Sequence, residues 1–286
     1  MLSSSGFLTI GDADLEYRVS GDPAAPPAIV MLHEGLGSAA LWGGFPDKLA
    51  AATGVTVFAY SRAGYGASSP VALPRPLTFM HDEAMTVLPP LLDAIGFRRG
   101  LLLGHSDGAS IAAIYAGSRQ DHRVRAVTLI APHFVTEDIG IAAIRETVAA
   151  YAQGDLKTRL ARWHRHVDVA FYGWSGAWLD PEFRAWDISE FLAYIRVPLQ
   201  IVQGENDQYG TIRQIEIARE ECYCPVEVAL IPQAGHSPQR EAPEATLAAI
   251  AGFAERILQQ HHEGDAAVPG APMKKNAGQT FEGEPR

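Results

Sequence analysis

Apolar positions along the chain follow two rhythms. Short, nearly unbroken apolar runs occupy residues 28–32, 55–60, 101–103, 126–130, 199–202 and 226–231. Gly or Pro bounds each of them, with Pro26-Pro27 and Gly54 before the first two and Gly104, Pro132, Gly204 and Pro232 after the others. Runs of this kind are expected of strands buried on both faces, as in a parallel sheet between layers of helices. Residues 7–10 and 15–19 flank Gly11-Asp12 and predict an antiparallel hairpin at the sheet edge. A helical period appears over 79–95, where Met80, Ala84, Val87, Leu88, Leu91, Leu92 and Ile95 recur, although Pro89-Pro90 must bend or interrupt it. Residues 106–117 are rich in Ala and Ile, which suits a buried helix. Residues 241–259 carry Leu247, Ile250, Phe253, Ile257 and Leu258 on one side. The alternation predicts an α/β fold with a doubly wound, mostly parallel sheet.

That alternation stops between Phe134 and Ile195, a stretch without a convincing strand that holds four of the five tryptophans. It is expected to be a helical cap, or lid, over the C-terminal edge of the sheet. The division is then a core of residues 1–133 and 196–260, a cap of 134–195, and a tail of 261–286. The tail turns to Gly, Pro, Lys, Glu and Gln and is expected to be disordered. There is no internal repeat.

Composition narrows the function classes. The 286 residues are 47% apolar and 20% charged, an ordinary globular mix. With 23 basic and 33 acidic side chains the net charge is −10, which argues against a nucleic-acid partner. No apolar run approaches the roughly 20 residues needed to span a bilayer. The N-terminus lacks the basic and apolar regions of a secretory signal. Cys222 and Cys224, a residue apart, are too few for a thiolate zinc site. These features predict a cytoplasmic protein with no membrane partner, no metal and no cofactor.

One pentapeptide carries candidate chemistry: Gly104-His105-Ser106-Asp107-Gly108, placed directly after a predicted strand and before a predicted helix. A sharp strand-to-helix turn of this kind lifts a serine hydroxyl out of the sheet. It also aims the helix's first N–H groups at the reaction centre. The alternative is a glycine-bounded turn whose serine only caps a helix. A nucleophilic serine needs a base, and His236 in Ala234-Gly235-His236 follows the last predicted strand. Asp207 in Gly204-Glu205-Asn206-Asp207 follows the preceding strand and can orient an imidazole. All three lie just beyond the C-terminal end of a predicted strand.

With these motifs, residues 7–260 resemble the α/β-hydrolase fold family, and within it the small, cap-bearing members. The resemblance implies Ser106 as nucleophile, His236 as general base and then acid, and Asp207 as the orienting carboxylate. The family's oxyanion motif corresponds to Leu32-His33-Glu34-Gly35-Leu36-Gly37, with Glu34 where a glycine is usual. Gly35, with Leu36 as neighbour, and Asp107 would then supply the backbone N–H donors. Glu34 is expected to point away from the site or to pair with a base such as Arg62. A second landmark reads Ser61-Arg62-Ala63-Gly64-Tyr65-Gly66-Ala67-Ser68, without the usual leading Asp.

Other candidates carry less weight. His164 and His166 at i and i+2 do not share a helix face, so a metal pair is disfavoured. Glu137 and Asp138 are reserve positions for the triad acid. Asp107 is expected to complement the helix dipole with its side chain. The cap aromatics, with Trp163, Phe171, Tyr172 and Trp174 as candidate substrate contacts, imply an apolar pocket. The expected activity is hydrolysis of a small carboxylic ester or thioester through an acyl-enzyme on Ser106. Carbon–carbon cleavage of a ring-fission diketone, lactone opening, and a slow-turnover ligand receptor are the alternatives. The expected partner is a small-molecule substrate, and the expected state a monomer or homodimer.

Overall fold

The computed structural model describes residues 2–266. Eight strands form one sheet: β1 (Ser5–Ile10), β2 (Ala13–Ser20), β3 (Ile29–Leu32), β4 (Val57–Tyr60), β5 (Gly100–His105), β6 (Val124–Ile130), β7 (Leu199–Gly204) and β8 (Val226–Ile231). Their order is β1-β2-β4-β3-β5-β6-β7-β8. The hairpin β1–β2 pairs antiparallel and joins the edge at β4, whereas every pairing from β4 to β8 is parallel. The central strands alternate between two cores, as strand geometry requires. Val30 and Leu32 face one core, and Ile29 and Met31 the other.

The second core is covered by α1 (Phe45–Thr53) and the long terminal helix. The first is covered by α2 (Phe79–Asp82), α3 (Leu88–Ala94) and α4 (Asp107–Ser118). The single helix expected over 79–95 is instead broken by a wide π turn at Glu83–Val87. Pro89 has no N–H to return to the Met85 carbonyl. Arg119 Nη2 donates to that carbonyl at 3.1 Å instead. Helix α4 is apolar around its whole circumference, and every residue from Asp107 to Gly117 is buried.

Between β6 and β7 lie α5 (Asp138–Gln153), α6 (Leu156–Leu160), α7 (Val167–Trp178) and α8 (Ser189–Leu192), without a strand. This insertion lies across the C-terminal ends of β3 and β5, where α7 meets the loops that follow them. The chain closes with α9 (Arg213–Glu221), α10 (Pro238–Glu241) and α11 (Pro243–Ala266). Helix α11 runs past His261, and the rest of the expected tail lies outside the described residues. Among the described residues no helix is long and apolar enough to cross a membrane.

Candidate active site

Ser106 follows β5 and stands at the N-cap position of α4 with φ 53° and ψ −119°, a left-handed conformation rare for a residue with a side chain. Such a conformation costs on the order of 1–3 kcal/mol and persists only where its surroundings hold it. The flanking glycines explain how the turn fits. A Cβ on Gly104 would sit 2.2 Å from the Gly108 carbonyl oxygen, and one on Gly108 would sit 2.1 Å from that of Leu32. No side chain fits at either position. Helix α4 can therefore press against β3 and β5 and carry the Ser106 hydroxyl above the sheet edge.

The loops after β7 and β8 bring Asp207 and His236 to the same place. His236 Nε2 lies 2.9 Å from Ser106 Oγ, and His236 Nδ1 lies 2.9 Å from both Asp207 carboxylate oxygens. Asp207 Oδ1 accepts from the Tyr209 N–H at 2.8 Å and the Gly210 N–H at 3.2 Å, and Oδ2 accepts from Gln203 Nε2 at 2.7 Å. Burial pushes the Asp207 carboxyl up, but the hydrogen bond and charge of His236 outweigh it and hold it below the ordinary value. His105 Nε2 donates to the His236 carbonyl at 2.8 Å, and Gln239 Nε2 donates to His105 Nδ1 at 3.0 Å. The His236 loop is thereby tied to β5.

The Glu34 carbonyl organises the other side of the site. It accepts from His33 Nδ1 at 2.6 Å, from Arg62 Nη2 at 3.0 Å and from the Gly37 N–H at 3.0 Å. A trans peptide holds its C=O and N–H antiparallel. Pinning this carbonyl therefore turns the Gly35 N–H the opposite way, and Gly35 lines the cavity beside Ser106. Burial and the Arg62 charge hold His33 well below its ordinary pKa, so it is a neutral donor here. The Asp107 N–H lies in the first turn of α4, where helical N–H groups have no partner within the helix. Leu36 also lines the cavity, and its carbonyl accepts from His164 Nε2 of the insertion at 3.0 Å.

Several expectations need correction. The Glu34 side chain does not pair with Arg62. It binds Arg240 at 2.8 Å and lies 3.4 Å from His105, because Arg62 turns to the Glu34 backbone instead. Although burial opposes ionisation, the Arg240 guanidinium favours the Glu34 carboxylate, whose pKa lies well below the ordinary value. The Asp107 carboxylate does more than complement a dipole: it is fully buried, accepts from Trp178 Nε1 at 3.0 Å and lies 3.8 Å from Arg62. Desolvation raises its pKa against the pull of Arg62. Glu137 holds Thr211 and Gln214, and Asp138 pairs with Arg184 at the surface, so neither reserve acid reaches His236.

Of the four cap aromatics expected to meet substrate, only Trp174 lines the cavity. Trp163 and Tyr172 are half exposed, and Phe171 stacks on Tyr151 at 3.6 Å inside the insertion. Helical spacing explains the split: Phe171, Trp174 and Trp178 share one face of α7, but Phe171 falls a turn short of the cavity, over α5. Trp174 packs so closely on Gly35 that a Cβ there would lie 2.2 Å from the indole. The sequence reading missed Trp178, His133, Ile144 and Tyr209 as lining residues. The i, i+4 spacing of Trp174 and Trp178 was the one available signal for any of them.

The cavity that these residues line is about 170 Å³. A model of the alpha/beta hydrolase family matches residues 29–250. The proline iminopeptidase of Lactobacillus helveticus is 31% identical over 99 residues, covering 35% of this chain and 33% of that protein. The match thus spans about a third of that relative's length. In structure, the chain is similar to a carboxylesterase of Nitrososphaera gargenis, with a TM-score of 0.70 at 18% identity over 89% of this chain and 100% of that one. It is also similar to the enol-lactonase of Burkholderia xenovorans LB400, with a TM-score of 0.65 at 18% identity over 87% of this chain and 99% of that one. At these identities the structural likenesses speak for the fold alone.

Proposed function

The chain belongs to the alpha/beta hydrolase family, and from that premise we propose that it is a hydrolase that cleaves small carboxylic esters or thioesters through an acyl-enzyme on Ser106. One observation carries the reading: the unbroken relay from Asp207 through His236 to Ser106, with each link at 2.9 Å. In the tautomer that donates Nδ1–H to Asp207, His236 Nε2 is free to take the Ser106 proton. The Ser106 oxygen then attacks the carbonyl carbon, and the Gly35 and Asp107 N–H groups, with Leu36 beside them, hold the oxyanion. His236 returns its proton to the departing alcohol or thiol. Water attacks the acyl-enzyme by the same relay, releases the acid and restores Ser106. Each oxyanion donor contributes about 3 kcal/mol in sites of this kind.

Residues 134–195 act as the lid in this reading. A cavity of about 170 Å³ walled by Trp174, Trp178 and Ile144 suits a short acyl group, since drug-sized ligands occupy roughly 300–1,000 Å³. The same chemistry opens a lactone, whose leaving group stays attached, and a compact ring also suits this volume. Intact-mass analysis after fluorophosphonate treatment, followed by peptide mapping, tests the proposal. A single adduct on Ser106 is expected, absent in Ser106→Ala and strongly slowed in His236→Ala. Ester hydrolysis retained by Ser106→Ala would overturn it.

A further inference from the structure

His133 lies on the loop after β6, three residues beyond Ile130, and lines the cavity beside His236. Its backbone is held on both sides. Ser110 Oγ donates to the His133 carbonyl at 2.6 Å, and the next N–H, of Phe134, donates to Gln214 Oε1 at 2.7 Å. The ring stands edge-on to Trp178 with centroids 5.2 Å apart, and 5.4 Å from the His236 ring. Only 6% of the residue is exposed. Neither ring nitrogen has a hydrogen-bond partner among the described residues. The other buried polar side chains of the cavity are engaged, Ser106 with His236 and Asp107 with Trp178.

An imidazole that opens onto the cavity with no partner in the protein offers its donor and its acceptor to a group that enters the cavity. Burial, and then the charge of His236, hold its pKa down to about 3. The ring is therefore neutral, with one N–H to donate and one lone pair to accept. A phenyl ring would pack on Trp178 equally well, so packing alone does not account for a histidine.

We propose that His133 anchors the substrate by hydrogen-bonding an oxygen other than the reacting carbonyl oxygen, which makes small hydroxy-, alkoxy- or keto-substituted esters the preferred class. The proposal rests on the acyl-transfer reading above. It is tested with matched substrates in which one ether oxygen replaces a methylene. One pair carries it in the acyl group (p-nitrophenyl methoxyacetate against butyrate), the other in the alcohol (2-methoxyethyl against butyl acetate). In at least one pair, the oxygen-to-methylene ratio of kcat/KM should fall about tenfold from wild type to His133→Phe, the effect of one hydrogen bond. His133→Gln, which keeps a donor, should recover most of it. The affected pair shows whether the oxygen belongs to the acyl or the alcohol side. Ratios equal in all three proteins would overturn the proposal while Ser106 still takes the fluorophosphonate. Failure of wild type to take it would overturn the acyl-transfer reading, and this proposal with it.

Discussion

The floor and the roof of the candidate active-site cavity are held by different forces. On the floor, the loops after β3, β5, β7 and β8 are locked by directional bonds: three donors on the Glu34 carbonyl, four polar contacts on Asp207, and His105 on the His236 carbonyl. On the roof, α7 is held mainly by rings. Phe171 lies on Tyr151, Trp178 on Phe183 and Trp186, and Trp174 on Gly35. Hydrogen bonds fix positions to a few tenths of an ångström, as acyl transfer requires. Apolar packing tolerates rearrangement at modest cost. The proposed acyl transfer would thus be tied to the more rigidly bonded part, and the pocket's shape to the more adaptable one. Among the described residues, polar bonds tie the roof to the residues that line the cavity from Trp178 to Asp107, from His164 to Leu36 and from Thr147 to the Tyr209 hydroxyl.

The contrast can be broken from either side. Ser106→Ala should lower kcat by about 10⁴-fold or more, with the melting temperature little changed, because alanine keeps the Cβ and the backbone conformation and removes only the hydroxyl. Asp207→Asn should lower kcat by on the order of 10³–10⁴-fold, since the amide no longer holds the imidazole in its working tautomer. Residual activity in both is read by steady-state ester hydrolysis. Gly35→Ala keeps the N–H but drives a methyl into Trp174. A loss of about tenfold to a hundredfold in kcat/KM is expected from overpacking, with partial recovery in the Gly35→Ala/Trp174→Ala double variant. No recovery would mean that the floor, not the roof, had moved.

Trp178→Phe removes the N–H from a buried carboxylate and should cost about 1–3 kcal/mol of stability, read as a drop of several degrees in thermal melts. The last effect is on pH dependence. His133 is neutral in the folded protein down to about pH 3, whereas an unfolded histidine takes up a proton near pH 6.5. Between these values the unfolded state binds more protons, so stability rises with pH and is lost on acidification. His133→Phe should flatten that slope by up to about one proton in denaturant titrations from pH 4 to 7.

The same contrast separates what was legible from what was not. Ser106, Asp207 and His236 could be named because each follows a strand marked by an apolar run and a glycine, and a parallel sheet gathers such positions at one edge. The break at Glu83–Val87 was foreshadowed by Pro89-Pro90, though not its form. Helices α1 and α9 escaped notice because each is only nine residues long. In the insertion, aromatic content announced a lid but could not say which ring faces inward.

The sequence by itself determined the strand order of chemistry along the chain, the elbow at Ser106 and the apolar character of the roof. All of these follow from local backbone preference and periodicity. Tertiary structure alone decided that Arg240 rather than Arg62 neutralises Glu34, that Trp178 rather than Tyr172 meets Asp107 beside Ser106, and that His133 stands unpartnered beside His236. Each of these joins residues distant in the chain, and their distances depend on how helices pack. Packing is set by the sum of many weak contacts, and no short stretch of sequence encodes it.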